Sequence, residues 1–374
     1  MLKGETLNQV FLRIVSSLSD VSQVRKLCIK GGNAAMFVEG DSLSIIGCDS
    51  VKESAFTAMS MNHLSCLQEI NISGYRSDVS FPGNCLPTSL QILKIKQCIK
   101  LEFPQQQQHK YNLVELRIHV SCDSLTSLSL DAFPNLKTLE INRCSNLESV
   151  SMSEPHHTAL QTLTIRFCLK FVSFSGEGLV PPNLTYLYVG NCSKMEALPS
   201  DLRSRLSNLE SLSIVGCPNI DRLPEGGLPP NLKELSVGGC DKQVRGLLSM
   251  ANLDTLTHLT IDGYGCESII IKSFPEVGSL PHLPSLTTLV ITCFDDLETL
   301  ECNELLRLTS LQQLHIMWCG KLENMAGEKL PSSLLTFKLS CCNLLGEKCK
   351  NKHQQIWPKI EHIPTIQVNG IKIV

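Results

Sequence analysis

The sequence predicts an α/β repeat solenoid, in which each repeat adds one short strand to a long parallel sheet. Two observations carry this prediction, the composition and the spacing of the leucines. Hydrophobic residues make up 43% of the 374 residues but aromatic residues only 5%, so the apolar content is mainly aliphatic. A chain of this length exceeds a usual single core, which leaves two globular domains or a repeat array whose core grows lengthwise.

A template, L-x-x-L-x-(I/V)-x-x-C, decides between these two. Successive copies begin 23 to 25 residues apart, except for one interval of 30 residues between Leu256 and Leu286. A period this regular indicates a repeat architecture. We number each coil from the first leucine of its template, so that the cysteine is position +8. The first leucines are Leu67, Leu90, Leu113, Leu136, Leu160, Leu184, Leu209, Leu232, Leu256, Leu286, Leu311 and Leu334.

The alternation at positions +3 and +5 predicts a strand with two aliphatic side chains facing the core, because successive side chains of a strand point to opposite faces. About 24 residues suffice for that strand, a turn and a return segment. One coil cannot bury its leucines alone, whereas stacked coils share a continuous core. The template therefore predicts a leucine-rich-repeat horseshoe of about 12–14 repeats, with one long parallel concave sheet. Proline-rich return segments such as "PEGGLPPNL" at 224–232 predict an irregular convex side.

The ends of the chain are predicted to differ from its middle. Residues 1–60 combine an amphipathic start with two degenerate copies of the repeat, "VRKLCI" at 24–29 and "SLSIIGC" at 42–48. Residues 61–374 are predicted to form the leucine-rich-repeat domain, with a C-terminal cap. The chain contains no stretch of 18 uncharged apolar residues, so we expect no membrane span, and its start lacks a secretory h-region. We therefore expect reduced cysteines and a cytoplasmic or nuclear protein.

The cysteines at +8 are interpreted as scaffold. A nucleophile or metal ligand needs partners of a different kind beside it, whereas a cysteine that recurs once per coil has its own equivalents as neighbours. Leucine-rich repeats commonly carry asparagine here, and cysteine can bond the backbone weakly while behaving as a small buried hydrophobe. Four coils depart from the pattern, with Tyr75, Ser121, Tyr264 and Phe294. The cysteines at +8 are Cys98, Cys144, Cys168, Cys192, Cys217, Cys240, Cys319 and Cys342.

Other chemistry finds little support in the sequence. The 33 basic and 36 acidic residues give a net charge of −3, which offers no general attraction for nucleic acid. The phosphate-binding, hydrolase and metalloprotease signatures G-x-x-x-x-G-K-[ST], G-x-S-x-G and H-E-x-x-H are absent from the sequence. Cys341, Cys349 and His353 lie near Cys342, but no second compact pair of ligands precedes them. We therefore expect no enzyme activity, no cofactor and no metal.

The segment "LESLSIVGCPNIDRLPEGGLPPNLKELSVGGC" at 209–240 carries a family likeness. It resembles the C-terminal repeats of plant intracellular nucleotide-binding leucine-rich-repeat disease resistance proteins, of the coiled-coil class. The likeness continues in "LQQLHIMWCGKLENMAGEKLPSSLLTFKLSCC" at 311–342 and in the ending "WPKIEHIPTIQVNG" at 357–370. It covers most of residues 60–374.

In the family that the chain resembles, a coiled-coil segment and a nucleotide-binding switch domain precede the repeats. The resemblance implies a recognition module that senses pathogen effectors or modified host proteins and restrains the switch domain until then. This chain contains neither upstream part, so no residue here is assigned to nucleotide binding. The implied partners are a protein ligand, either a pathogen effector or a host target, and the nucleotide-binding domain of a full-length parent.

Recognition is expected at the template positions that vary from coil to coil. Positions +2, +4, +6 and +7 are predicted to face outward from the concave sheet, where neighbouring coils place equivalent positions side by side. Aromatic residues and arginine dominate binding hot spots, so a basic patch beside aromatic residues and a second, C-terminal group are the candidates. The central candidates are Lys94, Lys96, Arg117, His119, Arg143, Arg166, Phe167, Tyr186 and Tyr188, and the C-terminal ones are His315, Met317 and Trp318.

Two other functions stay open from the sequence. The first is a substrate-recruiting adaptor of a ubiquitin ligase, because F-box proteins also carry cysteine-type repeats. Their usual I-T-D-x-G-L continuation and a recognisable F-box are missing here. The second is the ectodomain of an extracellular receptor, although such repeats usually carry asparagine at +8 and a G-x-I-P connector.

Overall fold

The structure is a computed structural model that describes most of the chain. The chain divides into two compact units, Met1–Leu184 and Thr185–Val374. In both units, parallel strands from successive coils build a solenoid, which confirms the predicted fold class. The amphipathic start within residues 1–20 lies outside the described residues. The described residues are 24–30, 35–39, 42–46, 66–74, 79–80, 86–103, 110–152, 159–175, 181–196, 198, 202–220, 227–239, 253–265, 271–276 and 280–374.

Every copy of the template forms a five-residue strand that begins two residues after its first leucine. These strands pair in parallel with the strands of the neighbouring coils of the same unit, and the register is regular, as in Leu116 beside Leu139. The main-sheet strands of the first unit are Lys26–Lys30, Ala35–Glu39, Ser42–Ile46, Glu69–Ser73, Ile92–Lys96, Glu115–His119, Thr138–Asn142 and Thr162–Arg166. Those of the second unit are Tyr186–Gly190, Ser211–Val215, Glu234–Gly238, His258–Asp262, Thr288–Thr292, Gln313–Met317, Thr336–Ser340, Thr365–Val368 and Ile371–Lys372.

The core lies on the side of the strands that carries positions +3 and +5. In the strand Thr138–Asn142, for example, Leu139 and Ile141 are completely buried, while the residues at +2, +4 and +6 keep partial exposure. The same alternation follows from the register in the next coil, where Leu163 lies beside Leu139. The leucines and isoleucines of neighbouring coils therefore form continuous rows, which is how a coil too small for its own core becomes stable.

The two upstream copies of the repeat do not stack in chain order. The strand Lys26–Lys30 pairs with Glu69–Ser73 on one side and with Ser42–Ile46 on the other, both in parallel. Ala35–Glu39 then pairs antiparallel with Ser42–Ile46. Lys26 and Ser42 are register partners although only 16 residues separate them (42 − 26), which is shorter than the period of a full coil. Ser42–Ile46 therefore pairs on the side of Lys26–Lys30 that faces away from Glu69–Ser73. Its other side pairs with the antiparallel strand Ala35–Glu39.

The return segments carry short strands as well as irregular backbone. In the first unit, Ser127–Ser129, Ser149–Ser151 and Ser173–Ser175 form a small parallel sheet, and Val79–Ser80 pairs with Leu101–Glu102. In the second unit, Ser273–Phe274, Thr299–Glu301 and Asn324–Ala326 form the corresponding sheet. Where the chain is described, regular helix occurs only in short pieces, as the prolines predict. The described helices are Leu202–Arg205, Cys302–Leu305, Asn343–Lys350 and Trp357–Ile360, with a 3-10 turn at Leu130–Ala132.

The C-terminal segment extends the main sheet of the second unit. Thr365–Val368 pairs in parallel with Thr336–Ser340, and a turn at Asn369 and Gly370 then leads into the antiparallel strand Ile371–Lys372. Both turn residues have positive φ, which is typical of a two-residue hairpin. Over the part of the chain that is described, we find no helix with the length and apolar character that crossing a bilayer requires.

Candidate functional site

The side chains at +2, +4 and +6 form the outer face of the main sheet in each unit. We call it the strand face. Its residues are partly exposed where +3 and +5 are buried, as in the strands Glu115–His119 and Gln313–Met317. Because the template fixes only the buried positions, the strand face is where coils of identical fold can differ in chemistry.

Position +7 follows the strand and has a left-handed backbone in almost every described coil. We call this row of residues the rim. Left-handed φ costs most residues roughly 1–2 kcal/mol. Glycine adopts it without this cost, and asparagine adopts it more readily than other residues do. The rim residues with positive φ are Gly74, Gln97, Val120, Arg143, Phe167, Asn191, Gly216, Gly239, Cys293, Trp318 and Cys341.

A backbone hydrogen bond to the next coil explains this conformation. The rim N–H donates to the +6 carbonyl of the following coil, as from Arg143 to Arg166 at 2.9 Å and from Trp318 to Ser340 at 2.9 Å. The left-handed residue then turns the chain so that +8 points into the core. Three candidate residues, Arg143, Phe167 and Trp318, belong to the rim and not to the strand face.

The residues at +8 close the turn from inside. The Cys319 thiol donates to the +6 carbonyl of its own coil, that of Met317, at a sulfur–oxygen distance of 3.4 Å. Ser121 does the same with its hydroxyl, at 2.7 Å from the His119 carbonyl, and also accepts the Cys98 N–H at 3.0 Å. Cysteine therefore fills a space in which a small side chain must donate one hydrogen bond. Cys240 and Tyr75 lie outside the described residues.

The buried thiols fall into two groups. Hydrogen bonds from the thiol of the preceding cysteine lower the pKa of Cys168, Cys217 and Cys342, whereas the pKa of several others is raised. Burial raises the pKa of Cys122 to about 12 and that of Cys349 to about 12, far above neutral pH. The neighbouring Cys168 thiol and burial together raise the pKa of Cys144. Because the thiolate is the nucleophile and metal ligand, these residues serve packing. The described cysteines are free thiols, and no group of three or more described His, Cys, Asp or Glu residues could hold a metal ion.

The +8 row is interrupted at the coil with the long interval. Phe294, at +8, is buried and stacks on Phe274 with ring centres 5.6 Å apart. In the preceding coil, a Cβ placed on Gly263 would lie 2.7 Å from the Phe294 ring, so the ring occupies space that a side chain would need. Tyr264, the +8 residue of that coil, is 64% exposed. Phe274 lies in the return strand beside Leu300 of the next coil, and there it packs against the ring that replaces cysteine at +8.

The predicted basic patch in the first unit is interleaved with glutamates. The Lys94 amine lies 3.3 Å from a Glu69 carboxylate oxygen and 3.5 Å from one of Glu115. Nε of Arg117 lies 2.8 Å from Oε1 of Glu115, a contact of opposite charges without hydrogen-bond geometry, and its Nη1 lies 3.6 Å from Glu140. The patch is therefore a row of alternating charges. Lys94 at +4 meets position +2 of both neighbouring coils, whereas Arg117 pairs with +2 of its own coil and +4 of the next.

His119 belongs to the same row, with Nε2 3.1 Å from a Glu140 carboxylate oxygen. At the other end of the row, burial alone would raise the pKa of Glu69. Hydrogen bonds from Asn71 and Lys94 and the charges of Lys94 and Lys26 outweigh burial and lower it. Glu69 is accordingly charged at neutral pH, and the row is held by ion pairs.

Two of the central candidates contact each other on the rim. The guanidinium carbon of Arg143 lies 5.0 Å from the centre of the Phe167 ring, which is the distance of a cation–π interaction. Arg143 is exposed, Phe167 is half-buried beneath it, and Lys96 is exposed on the strand face. Arg166 lies at +6 beside Asn142. The structure thus brings Arg143 and Phe167 together, whereas Arg117 is engaged with carboxylates.

Tyr186 and Tyr188 belong to the second unit, at +2 and +4 of its first strand. Both are partly exposed. The Tyr188 ring lies over Gly190, where an added Cβ would meet its Cε1 atom at 2.5 Å. Glycine at +6 is therefore what lets this tyrosine lie flat on the sheet.

The C-terminal candidates occupy one coil of the second unit. His315 is at +4, between Val290 and Lys338 of the neighbouring coils, and burial together with the Lys338 charge lowers its pKa. Its ring is neutral at pH 7. Met317 is half-buried at +6, and Trp318 is 60% exposed on the rim. Whether any of the candidates binds a partner stays a prediction.

Comparison with known proteins gives relatives for the chain, although no protein-family model matches it. The candidate disease resistance protein At3g14460 of Arabidopsis thaliana is 35% identical over 310 residues, which is 81% of this chain and 21% of that protein. The chain is homologous to plant disease resistance proteins. This confirms the resemblance that the repeats carry.

Two further relatives from Arabidopsis thaliana agree. A candidate disease resistance RPP13-like protein 1 is 36% identical over 29% of this chain and 11% of its own length. The disease resistance protein RML1B is 30% identical over 63% of this chain and 21% of its own length. The chain thus spans about a fifth, or less, of the relatives that it matches. The homology supports a defence-related role for a leucine-rich-repeat chain.

Proposed function

We propose that this chain is the protein-recognition part of an intracellular plant immune receptor. It senses a pathogen effector or a modified host protein, and it restrains a nucleotide-binding switch domain until then. The observation that carries the proposal is the homology with disease resistance proteins over 81% of the chain. The proposed site of action is the cytoplasm or the nucleus, with no catalysis by the chain itself.

The geometry supports recognition of a protein. A solenoid offers an extended row of side chains on a rigid backbone, which suits a large partner better than a small molecule. The strand face presents mixed charges in the first unit, and the rim adds Arg143 over Phe167. Arginine and aromatic side chains on a rigid support are the residues that most often dominate protein interfaces.

The ion-paired row indicates which residues a partner could use. Lys94 and Arg117 already contact glutamates, so a partner would have to compete for them. An exposed ion pair is worth only about 0–1 kcal/mol, which a well-placed carboxylate could match. Among the described residues Arg143 contacts a neutral ring and no carboxylate, so its N–H donors can bond an acidic group of a partner. We therefore place the first contact at Arg143 and Phe167.

The experiment uses a resistance protein in which the homologous repeats are exchanged for this chain. Expressed in leaves without pathogen, the exchanged protein should be silent, whereas deletion of the repeats should cause cell death. The double variant Arg143→Ala with Phe167→Ala should release cell death or abolish the response to challenge. The matched control is Lys233→Ala, which removes an exposed cation paired with Glu210 at 3.0 Å, away from the strand face.

The outcome that contradicts the proposal is a protein that kills cells as strongly with this chain as without any repeats. A double variant that behaves like the Lys233→Ala control in both readouts would keep the module and reject the site. Circular dichroism of the purified variants distinguishes loss of contact from loss of folding.

A further inference from the structure

Trp318 is a large side chain exposed on the rim at an unfavourable backbone position. It is 60% exposed, and its φ is 57°. Left-handed backbone costs free energy for a tryptophan, and an indole in water returns none of it. The other rim residues share this backbone, so the exposed ring is what indicates a contact with another molecule.

The first unit contains the same arrangement with its partner in place. Phe167 is the rim residue of its coil, as Trp318 is of its own. Arg143 is the rim residue of the preceding coil, and its guanidinium covers the Phe167 ring at 5.0 Å. A cation from the preceding rim position can therefore seat on the ring of the next one, without leaving the regular backbone.

In the second unit the position equivalent to Arg143 is Cys293. Its backbone is the same, with φ of 59° against 55° for Arg143. Its N–H also donates to the +6 carbonyl of the next coil, that of Met317, at 3.0 Å. Among the described residues no cation covers the Trp318 ring, although Lys352 lies 4.9 Å from the ring centre of the other tryptophan, Trp357. The geometry of a cation site is present, and no cation of the described residues fills it.

Two carboxylates lie near Cys293. Asp262 is the register partner of Thr292, the residue before Cys293, and Asp295 follows Cys293 by two residues. Burial raises the pKa of the Cys293 thiol, and the charges of these two carboxylates raise it further. Asp295 is exposed, whereas its neighbour Asp296 is paired with Lys321 at 2.6 Å. On the other side, the cation Lys338 lies beside His315 in the following coil. Charge therefore favours a cation on the Cys293 side of the indole.

We propose that Trp318 is a binding site for an arginine side chain of a partner protein. The guanidinium seats on the indole as Arg143 seats on Phe167, and it pairs with Asp262 or Asp295. Arginine fits better than lysine, because its planar group stacks on a ring while its edge bonds a carboxylate. This deepens the proposed function, since it names the chemistry that a protein partner must offer.

The first test measures the binding of a tetra-arginine peptide to the purified chain. In a W357F background Trp318 is the single tryptophan, because the sequence contains two. Tetra-arginine should quench its fluorescence saturably, tetra-lysine should bind more weakly, and tetra-glutamine should not bind. By calorimetry, Trp318→Leu should weaken tetra-arginine binding about three- to thirtyfold, the range of one cation–π contact. Equal binding by Trp318→Leu and the parent chain overturns the proposal.

The second test fills the site from within the chain. Cys293→Arg places a guanidinium where Arg143 stands in the first unit, so it should cover Trp318 and weaken peptide binding about tenfold. Gln312→Arg adds the same charge at an exposed residue outside the rim, and it should change binding less than about twofold. If both variants weaken binding equally, the peptide senses net charge alone and the site is rejected.

The two proposals fail separately. Peptide binding concerns Trp318 in the second unit and is measured on the isolated chain. The cell-death experiment concerns Arg143 and Phe167 in the first unit. A chain that binds no arginine peptide can still restrain the exchanged receptor, and the reverse also holds.

Discussion

The coils that begin at Leu136 and Leu160 and those that begin at Leu256 and Leu286 turn the chain off the strand in two different ways. In the first pair, cysteines at +8 fill the turn and the rim ring of Phe167 is covered by Arg143. In the second pair, Tyr264 is exposed, Phe294 fills the turn, and the following rim residue, Trp318, is left uncovered. With the same backbone, the aromatic rim residue is therefore covered by a neighbouring side chain in one region and exposed in the other.

The difference teaches that a change at a buried position can alter the surface several residues away. Phe294 requires a ring partner, Phe274, and a glycine at 263. The same coil has the longest interval of the array, and its own +8 residue, Tyr264, is exposed. A regular coil constrains its surface little, whereas an irregular one determines which aromatic side chains meet solvent.

The largest expected effect is a difference in stability between a +8 position filled by phenylalanine and one filled by cysteine. Phe294→Ala should lower the free energy of unfolding by about 3–5 kcal/mol, because it removes a buried ring and leaves a cavity. Cys319→Ala, at the same template position in the next coil, should cost about 1 kcal/mol, since only one small group is lost. Urea denaturation of both variants measures the difference. Equal losses would show that Phe294 is no more than a substitute for cysteine.

The next effect tests the space that Phe294 occupies. Gly263→Ala should destabilise the protein by about 1–3 kcal/mol, because the new methyl group would lie 2.7 Å from the ring and from the Cys293 carbonyl. Gly320→Ala is the matched control, since a Cβ there meets nothing within 4 Å. A Gly263→Ala variant as stable as the Gly320→Ala variant would contradict the tight packing of this turn.

A smaller effect concerns the hydrogen bond that +8 makes in the regular coils. Ser121→Ala should cost about 1–2 kcal/mol, because the Cys98 N–H loses its acceptor and the His119 carbonyl loses a donor in a buried site. Ser121→Cys should restore part of the stability, as cysteine donates the same bond in other coils. Thermal unfolding compares the three proteins. If Ser121→Cys is less stable than Ser121→Ala, hydrogen bonding is not what selects the residue.

Replacement of the exposed rim tryptophan should increase stability. Trp318→Asn should raise the free energy of unfolding by about 0.5–1 kcal/mol, because asparagine tolerates left-handed backbone better than tryptophan. Asn191 shows that this residue fits the rim, with φ of 55°. Arg143→Asn should gain less, since it also loses the contact with Phe167. A loss of stability in Trp318→Asn would mean that the indole packs within the chain.

The smallest effect concerns the ion-paired row of the regular coils. The pKa of Glu69 is lower folded than unfolded, so its ion pairs contribute stability above the unfolded pKa and lose it as pH falls through the folded pKa. Lys94→Met removes a hydrogen bond and a charge, so the pKa should rise and the loss should begin at a higher pH. NMR titration of the Glu69 carboxyl group measures its pKa in both proteins. An unchanged pKa would show that Asn71 and Lys26 suffice.

Much of the fold follows from the sequence because the repeat is a local rule applied many times. The leucine spacing places each strand, and the alternation at +3 and +5 gives its buried face, as Leu139 and Ile141 show. The scaffold role of cysteine was also predictable, because a residue repeated once per coil lacks partners of another kind. The order of the strands between 26 and 46 was not, since their pairing depends on segments shorter than one period.

The candidate site was harder to predict. Residues at +7 were expected to face outward with +2, +4 and +6, but their left-handed turn depends on a hydrogen bond to the next coil. The basic patch was inferred from +4 and +6, and Glu115 at +2 pairs with two of its members. Such pairing depends on the register of the strands and on the reach of the side chains, and the pattern of residue types along the chain does not give either.

The regular register also bears on how such a chain can change in length during evolution. In the regular coils each strand bonds only the strands beside it, and the offset between neighbours is one whole period. If a 24-residue unit such as that from Leu136 to Leu160 is gained or lost, the strands that become neighbours can form the same backbone hydrogen bonds as before. The other coils then keep their structure. The coil that contains Phe274 cannot be exchanged in this way, because its ring belongs to the next coil's turn. Recombination should therefore vary the regular coils freely and inherit this one together with its successor.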